Sequence, residues 1–355
     1  SNEILLVAGK GHEETQNYGN KIINFSDKKL IKEITQKRKF FFKKNHYHNF
    51  LLNKVFNKDK LKNINYNGVS INTKTIKKNN LFFAICGKKT DGHKFVKEAV
   101  RKGAIKSIVS KKIKKLSSNK IIKVKNTFSS LNNLAKVTRD NSSAKIVGIT
   151  GSVGKTTLKN LLSFSLKNYG KVYSSPHSYN NKFGVPLSLS NLKSNIDYGV
   201  FEIGMDKKGE IDNLSKIVKP EIAIITNISG AHFKNFNTLK DIAKAKAEII
   251  NNISKGGNIV LNKDSKFFSF LSDKAKKNGI NITSFSLKKR SDIFLLGIKK
   301  VKNYFRLKIN VRNNIFFFNA KYSTDNFINN ILACISTMFI LNLDLNKMKK
   351  NFTSF

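Results

Sequence analysis

The chain alternates short hydrophobic runs with amphipathic stretches, a pattern typical of α/β proteins. In its first part, strand-like segments are expected at 68–76, 81–87 and 104–111. Helical segments are expected at 49–57 and 94–102. This pattern predicts a small α/β domain over residues 63–141.

A second, larger α/β domain is predicted over residues 142–342. A helix is expected at 239–253, among apolar strand-like segments at 145–150, 198–205, 221–228 and 257–262. Such alternation is typical of a parallel sheet with crossover helices. The segment 293–319 is expected to form antiparallel strands and 326–341 a helix.

The two ends of the chain lack the pattern of complete domains. Residues 1–36 hold a strand-like run, a glycine turn and one apolar-periodic stretch. Residues 37–62 are basic and asparagine-rich, and we interpret them as a linker that merges into the first helix. Residues 343–355 follow the last expected helix and are too few to form a domain.

The charge balance is strongly basic, with 67 lysines and arginines, 22 aspartates and glutamates, and a formal net charge of +45. Such an excess raises nucleic-acid binding as a hypothesis. Only six of the basic residues are arginines, which leaves 61 lysines (67 − 6) spread through every segment. Because base-reading surfaces favour the bidentate guanidinium, we expect mostly solvated surface and no specific nucleic-acid partner.

No segment has the length of an export or membrane-spanning sequence. The apolar run Ile4–Ala8 is too short for a signal peptide, and Ile331–Leu341 is too short to cross a bilayer. We therefore expect a cytoplasmic protein without membrane insertion. Cys86 and Cys334 match no metal-binding spacing, and we expect both to be buried thiols in a reducing compartment.

The strongest chemical motif is the run Gly151-Ser152-Val153-Gly154-Lys155-Thr156-Thr157. It lies between an expected strand and a helix expected to begin near Thr157. Backbone amides of such a turn bind phosphate oxygens, the lysine reaches the β- and γ-phosphates, and the following threonine can bind Mg²⁺. The strict phosphate-loop pattern is not met, because Gly148 lies one residue too far upstream of Gly154. The flanking elements nevertheless favour ATP binding.

Two further side chains are predicted at the same edge of the sheet. Glu202 ends one hydrophobic strand, and His232 follows the next one along the chain. Ligands of open α/β sheets bind at the carboxyl ends of the strands, where a carboxylate can hold a metal ion that bridges phosphates. Taken alone, each residue also has an ordinary structural interpretation, since a lone histidine is more often structural than a ligand.

Five motifs occur in one order: GITGSVGKTT, NNKFGVPLSL, EIGMDKKGEI, TNISGAHFKNF and DIAKAKAEI, starting at residues 148, 180, 202, 226 and 241. Together with the segment at 68–104, they resemble the Mur ligase family. Within that family, the resemblance is to the MurF type, which adds D-alanyl-D-alanine to UDP-N-acetylmuramoyl-tripeptide. It extends over about residues 66–345.

The resemblance implies an α/β fold class with a small N-terminal α/β substrate domain, a central phosphate-loop ATPase domain on a parallel sheet, and a missing C-terminal Rossmann-like domain. In this family, ATP phosphorylates the terminal carboxylate of the substrate to an acyl phosphate. The amine of D-alanyl-D-alanine then attacks through a tetrahedral intermediate and phosphate leaves. The implied partners are UDP-N-acetylmuramoyl-tripeptide and D-alanyl-D-alanine, and we expect a monomer.

Matched position by position, the resemblance also implies site residues. Lys155, His232 and Lys246 are implied to be catalytic, and the implied ligands of two Mg²⁺ ions are Thr156, Glu202, His232 and Lys246. ATP-binding positions are Gly151, Ser152, Val153, Gly154, Lys155, Thr156, Thr157, Asn181, Asn262 and Asn326. Lys246 is implied to be carbamylated, which would turn an ammonium that repels Mg²⁺ into a carboxylate-like ligand. Lys244 offers the same amine on another helical face, and the alignment favours Lys246.

Two departures from the family pattern leave some contacts open. The usual Asp-Ser-Arg of the N-terminal domain is Asn72-Thr73-Lys74 here, which leaves the uridine contacts open. Near the adenine, the Gly-x-His-Asn pattern is replaced by Ser323-Thr324-Asp325-Asn326, which keeps the asparagine but not the histidine.

Residues 1–36 resemble a different member of the family. VAGKGHEETQ followed by INFSDKKLIKEI is similar to the end of MurE, the ligase that adds the third peptide residue, and Gly9 and Glu13 would match amino-acid contacts there. The chain thus resembles part of a MurE–MurF fusion, and we expect it to bind ATP·Mg²⁺ without appreciable ligation. The alternatives are MurE-type amino-acid addition, a phosphate-loop nucleic-acid-binding protein, and a substrate-binding fragment without turnover.

Overall fold

The computed structural model describes residues 15–17, 22–24, 44–56, 64–87, 90–230, 235–349 and 352–354. Near the start of the chain, β1 (Thr15–Asn17) and β2 (Ile22–Asn24) pair as antiparallel strands. The glycine turn GKGHE, with Gly9 and Glu13, and the periodic stretch at 26–34 lie outside the described residues. The remaining elements form two α/β units.

The N-terminal unit is a four-stranded parallel sheet with three helices. In spatial order its strands are β3 (Gly68–Ser70), β4 (Asn80–Phe83), β5 (Lys106–Val109) and β6 (Ile121–Lys123). Its helices are α1 (Lys44–Phe56), α2 (Val96–Arg101) and α3 (Thr127–Asp140). The helix predicted at 94–102 begins earlier, as a 3₁₀ turn at Gly92–Phe95, because the Asp91 side chain accepts a hydrogen bond from the His93 amide.

The central unit is built on one nine-stranded sheet. Its first strands and helices are β7 (Lys145–Thr150), α4 (Lys155–Leu166), β8 (Val172–Ser174), α5 (Gly184–Ser190), β9 (Tyr198–Glu202), α6 (Glu210–Val218), β10 (Ile222–Ile225) and α7 (Leu239–Lys246). The others are β11 (Asn258–Asn262), α8 (Phe268–Lys277), β12 (Asn281–Ser286), β13 (Ile293–Val301), β14 (Tyr304–Val311), β15 (Asn314–Ala320) and α9 (Asp325–Ile340).

The strand order is β15-β14-β13-β12-β11-β10-β7-β9-β8. From β8 to β13 neighbouring strands are parallel, and β14 and β15 are added as antiparallel neighbours. The predicted combination of a parallel sheet and a later antiparallel segment is therefore confirmed. Because β7 lies between β9 and β10, the loops that follow these three strands meet at one edge of the sheet.

Helices cover both faces of this sheet. α4 and α9 pack on one face, where Leu158 and Ile331 are fully buried, and α6 and α8 bury Ile211 and Leu271 on the other. The apolar segment at 331–341 lies largely in α9, so the prediction of a buried helix is confirmed. Burial of each such side chain stabilises the fold by about 1.5–3 kcal/mol and holds the strand ends in fixed positions.

The helix expected at 239–253 is an α-helix only to Lys246 and continues as a 3₁₀ helix over Ala247–Asn252. The Glu248 carboxylate in this turn accepts hydrogen bonds from the amides of Gly209 (2.8 Å) and Asp212 (3.1 Å). It therefore satisfies amides at the N-terminus of α6 that the helix itself leaves without partners.

The two cysteines differ in environment. Cys334 is buried in α9, as expected, but Cys86 is exposed, so the prediction that both are buried is wrong for Cys86. Cys86 lies three residues beyond the end of the buried strand β4 and pairs with Asp91 in an isolated antiparallel bridge, outside the core.

Polar contacts join the two units. The Asn191 side chain accepts a hydrogen bond from the Val69 amide (2.8 Å) and donates one to the Val69 carbonyl (3.0 Å). The buried guanidinium of Arg139 donates to the Val218 carbonyl and to the Glu221 carboxylate. Among the helices that the structure describes, none has the length and apolar sequence needed to cross a membrane.

Candidate active site

The glycine-rich loop connects the end of β7 to the start of α4. Gly151 has φ +150° and Gly154 has φ +87°, and a Cβ on Gly151 would collide with Thr226 Oγ1. Both positions therefore require glycine. α4 begins at Lys155, two residues earlier than expected, and Gly154 supplies no side-chain cap. Its first-turn amides are thus available to an anion, with the positive end of the helix dipole behind them.

The loop that follows β10 holds the glycine-rich loop in shape. The amide of Ser152 donates to the Asn227 carbonyl (3.0 Å), and the amide of Val153 donates to Asn227 Oδ1 (2.8 Å). The hydroxyl of Thr226 donates to the Val153 carbonyl (2.7 Å). These bonds fix the backbone before any ligand binds, so little ordering cost remains on binding.

Lys155 folds back over its own loop. Its ammonium donates to the carbonyls of Gly151 (2.8 Å) and Ser152 (3.3 Å). Burial lowers the pKa of Lys155, and the nearby Glu202 carboxylate opposes that shift. The ammonium therefore lies above the loop, within the region where phosphates bound by the α4 amides would be placed.

Glu202, at the end of β9, is the buried carboxylate of the site and is 1% exposed. Its Oε2 accepts a hydrogen bond from the Thr156 hydroxyl (2.8 Å), and its Oε1 accepts one from Asn180 Nδ2 (2.7 Å). The sequence predicted that Thr156 and Glu202 share this edge, and the structure brings them into direct contact. Asn180 was not predicted, although it is the neighbour of the predicted Asn181 in the same asparagine pair.

Lys159 is a second unpredicted residue, one turn along α4 and 2% exposed. Its ammonium lies 3.9 Å from Glu202 Oε2 and donates a hydrogen bond to the carbonyl of His177. His177 has the left-handed φ of +46°, so this bond also fixes a strained loop beside the carboxylate. Burial lowers the pKa of Lys159, and Glu202 opposes the shift.

Lys246 ends α7 and is 1% exposed. Burial, together with the positive charge of Lys155, lowers the pKa of Lys246 to about 7. A large part of its amine is therefore neutral near neutral pH, which is the form that can react as a nucleophile. Lys244 is exposed, and its ammonium lies 3.9 Å from Asp241.

Two other predicted nucleotide residues lie on β11 and α9. Asn262, at the end of β11, donates to Asn329 Oδ1 in α9 (3.3 Å). Asn326 is exposed in the first turn of α9. A Cβ on Gly154 would lie 3.3 Å from Asn330 Oδ1, so the unpredicted Asn330 is the α9 side chain that packs on the loop. His232 lies outside the described residues.

A cavity of about 510 Å³ lies between the two units. Its lining combines the apolar side chains Phe82, Phe95 and Phe183 with polar residues on both sides, including Asn72, Lys74 and Asn181. Asn181 Oδ1 also accepts the amides of Phe183 (3.0 Å) and Gly184 (3.0 Å) and so fixes the start of α5. The volume is in the range of a site for an organic ligand.

The donor atoms at this edge suit Mg²⁺. In the part of the chain that the structure describes, no three His, Cys, Asp or Glu side chains form a cluster able to hold a metal ion. Mg²⁺ is, however, usually bound by one or two carboxylates together with substrate phosphates and water. The Glu202 carboxylate and the Thr156 hydroxyl, in contact at the N-terminus of α4, fit that arrangement.

Two family models match this chain. The Mur ligase middle domain matches residues 149–338, and the model described as Mur ligase family, catalytic domain, matches residues 65–141. The first covers more than half of the chain.

Individual proteins match as well. A protein of Rickettsia prowazekii, named UDP-N-acetylmuramoyl-tripeptide--D-alanyl-D-alanine ligase, is 35% identical over 79% of this chain and 63% of its own length. The MurF structure from Acinetobacter baumannii has a TM-score of 0.75 and 26% identity, over 86% of this chain and 67% of that one. MurF ligase from Thermotoga maritima, solved with ADP, has a TM-score of 0.69 and 28% identity, over 80% and 65%. The chain spans less than two thirds of the curated relative.

Proposed function

This chain belongs to the Mur ligase family, and we propose that it binds ATP and takes part in adding D-alanyl-D-alanine to UDP-N-acetylmuramoyl-tripeptide. The observation that carries the proposal is the contact between Thr156 of the glycine-rich loop and the buried Glu202, at the edge where β7 and β9 end. The names of the relatives, and the ADP in one related structure, support the same reaction.

We assign the phosphates of ATP to the first-turn amides of α4 and to Lys155. On binding, Lys155 would exchange its bonds to two loop carbonyls for phosphate oxygens, which are the better acceptors because they are charged. Thr156 and Glu202 would hold Mg²⁺, which neutralises phosphate charge when it is bound. Asn180 and Lys159 keep the Glu202 carboxylate in place.

The proposed reaction has two steps. An oxygen of the tripeptide carboxylate attacks the γ-phosphorus of ATP, the bond to the β-phosphate oxygen breaks, and ADP leaves. The amine of D-alanyl-D-alanine then attacks the acyl carbon, an amide bond forms, and phosphate leaves as the amine gives up a proton. Lys155 would offset negative charge on the transferred phosphoryl group, and its position over the glycine-rich loop supports this role.

Carbamylation of Lys246 is part of the proposal. It requires a neutral amine to attack carbon dioxide, and the pKa of about 7 supports the presence of that form. The amine nitrogen bonds the carbon of carbon dioxide, one carbon–oxygen π bond opens to form the carboxylate, and the nitrogen releases a proton to solvent. Position 246 then carries a negative charge, so the repulsion that its protonated form has with Lys155 is removed. A carbamate would supply the oxygen ligand for a second Mg²⁺ that an ammonium cannot supply.

The cavity between the two units is the proposed site for the UDP-linked substrate. Lys74 offers a cation to the diphosphate, and Asn72 and Asn181 offer polar atoms that orient a sugar or base. Asn72 and Lys74 replace the more usual aspartate and arginine of the family, so the contacts in this chain are its own. The boundaries at 63–141 and 142–342 are proposed to separate substrate and ATP domains.

Residues 1–36 are proposed to derive from a MurE-like C-terminal domain. The sequence run with GKGHE and FSD supports this origin. The competing assignment is that the whole chain has MurE-type specificity. The UDP-linked peptide that the chain binds more tightly distinguishes this assignment from the MurF-type one.

Calorimetry with two ligands and two variants tests the proposal. Lys155→Ala is expected to weaken ATP·Mg²⁺ binding by at least ~10-fold, because a charge-assisted contact is lost, while UDP-N-acetylmuramoyl-tripeptide binding stays unchanged. Lys74→Ala is expected to do the reverse, so each variant is the control for the other. Unchanged ATP affinity in Lys155→Ala would reject the nucleotide site.

The choice of UDP-linked substrate tests the specificity. Tighter binding of UDP-N-acetylmuramoyl-dipeptide than of the tripeptide would favour the MurE-type assignment. Phosphate release that depends on a single amino acid rather than on D-alanyl-D-alanine would contradict the proposed amine.

A further inference from the structure

Residues 175–183 connect β8 to α5 and contact two sites at once, and we call them the connecting segment. Ser178 Oγ lies 3.4 Å from Thr156 Oγ1, and Asn180 Nδ2 donates to Glu202 Oε1 (2.7 Å). Three other residues of the segment line the cavity between the two units, namely Tyr179, Asn181 and Phe183. The connecting segment therefore belongs both to the proposed metal site and to the proposed substrate site.

Both ends of the connecting segment are fixed by hydrogen bonds. At its start, the amide of the buried Ser175 donates to the Val200 carbonyl (3.0 Å) in β9. At its end, the Asn181 side chain accepts the amides at the start of α5. Residues 176–178, between these two points, are exposed. Their conformation therefore depends on a local turn and on contacts from other elements.

The middle of the segment has a backbone conformation that favours glycine. His177 has the left-handed φ of +46°, which other residues rarely adopt. The turn around it closes with a hydrogen bond from the Tyr179 amide to the Pro176 carbonyl (3.1 Å). The rings of His177 and Tyr179 are neighbours, with centroids 6.0 Å apart. A contact that fixes His177 therefore also fixes Tyr179 in the wall of the cavity.

Lys159 makes such a contact from outside the segment. Its buried ammonium lies 3.9 Å from Glu202 Oε2 and donates a hydrogen bond to the His177 carbonyl. A hydrogen bond from a charged donor is stronger than one from a neutral donor, and burial strengthens it further. The helix that follows the glycine-rich loop thus holds the turn that carries part of the cavity wall.

We propose that Lys159 is a positioning residue for the UDP-linked substrate, in addition to its contact with Glu202. By holding the His177 carbonyl, it keeps Tyr179 and Asn181 in place before the substrate binds. Without this hold, the segment would have to be ordered on binding, and that ordering costs affinity. The role in substrate binding rests on the proposed function of the cavity, whereas the hold on the connecting segment does not.

A Glu202→Gln background separates the two contacts of Lys159. In this background, Lys159→Met removes the hydrogen bond to His177 without leaving a buried carboxylate unpaired. The double variant is expected to melt at no lower temperature than Glu202→Gln, because it also removes a buried cation that has lost its partner. Its matched control is Glu202→Gln/Lys167→Met, which removes an exposed lysine at the C-terminal end of the same helix.

Two measurements, both in the absence of nucleotide, test the proposal. In calorimetry, Glu202→Gln/Lys159→Met is expected to bind UDP-N-acetylmuramoyl-tripeptide about 10-fold more weakly than Glu202→Gln, which is the loss expected for one hydrogen bond from a charged donor. Amide hydrogen exchange in the peptide that covers residues 175–183 is expected to be about 10-fold faster in the same variant. The control variant is expected to match Glu202→Gln in both measurements.

Three results would overturn the proposal. The first is equal exchange of residues 175–183 in the Lys159→Met double variant and its control. The second is faster exchange with unchanged affinity, because the hold would then not reach the substrate. The third is a lower melting temperature with faster exchange throughout the chain, which would make Lys159 a general structural residue.

Failure of the proposed function gives a different result. If the wild-type chain and Glu202→Gln bind no UDP-N-acetylmuramoyl-tripeptide, the assignment of the cavity is wrong and the role of Lys159 in substrate binding falls with it. The exchange of residues 175–183 still shows in that case whether Lys159 holds the connecting segment.

Discussion

The buried amine of Lys246 should make the stability of the protein depend on pH in a way that one substitution removes. Lys246→Met keeps the length of the side chain and removes the titrating group. Because burial lowers the pKa of Lys246 to about 7 in the folded protein, the unfolded chain binds more protons at this position wherever the pH lies between that value and the ordinary value of about 10.4. The contribution of Lys246 to the free energy of unfolding therefore rises with pH throughout this window.

The size of the effect follows from the two pKa values. Well inside the window the slope approaches about 1.4 kcal/mol per pH unit. Half-titration of the folded form near pH 7 reduces the slope there, and the integrated gain from pH 7 to pH 9 is about 2 kcal/mol. The wild-type protein is expected to gain this amount relative to Lys246→Met, which has no group to titrate.

Urea unfolding in buffers free of carbon dioxide, at half-unit pH intervals, measures the difference between the two curves. Carbon dioxide is excluded because a carbamate would replace the titrating amine. Lys244→Met is the matched control: Lys244 is exposed on the same helix, so its substitution is expected to leave the pH slope of the wild type unchanged. Parallel curves for the wild type and Lys246→Met would refute the lowered pKa and remove the physical support for a carbamate at this position.

Two further substitutions test the contacts that position the site. Lys159→Met is expected to destabilise the fold by about 3 kcal/mol because it removes the ion-pair partner of the buried Glu202 carboxylate and leaves Lys155 as the more distant cation, and Mg²⁺ should restore part of the melting temperature. Glu202→Gln should show no such Mg²⁺ effect, and equal Mg²⁺ shifts in both variants would contradict the assignment of Glu202. Arg139→Met is expected to cost about 3 kcal/mol in urea unfolding, because the backbone carbonyls of Val218 and Lys219 at the C-terminus of α6 lose a buried donor. Lys136→Met, exposed on the same helix, should stay within about 0.5 kcal/mol, and a small effect at Arg139 would show that water replaces the guanidinium.

Features that depend on short-range pattern could be predicted from the chain without its fold. The strand 145–150 coincides with β7, and the three antiparallel strands fall within or next to the segment 293–319, because alternating or continuous apolar runs specify strands locally. The glycine-rich loop was also predictable, since its two positive-φ glycines and its lysine are neighbours in sequence. Thr156 and Glu202 could be predicted to share an edge because carboxyl ends of parallel strands lie together.

Long-range packing, in contrast, determines which further polar side chains reach that edge of the sheet and how far burial shifts their pKa values. Lys159 and Asn330 are separated by 171 positions (330 − 159) and belong to helices that pack on the same face of the sheet, so no local pattern marks either as part of the site. The exposure of Cys86 depends on its isolated bridge to Asp91 beyond the end of β4, and the 3₁₀ continuation of α7 depends on the contact of Glu248 with the N-terminus of α6. The lowered pKa of Lys246 has the same origin: burial and a second ammonium from a distant segment shift it, and both arise only when the sheet brings α4 and α7 together.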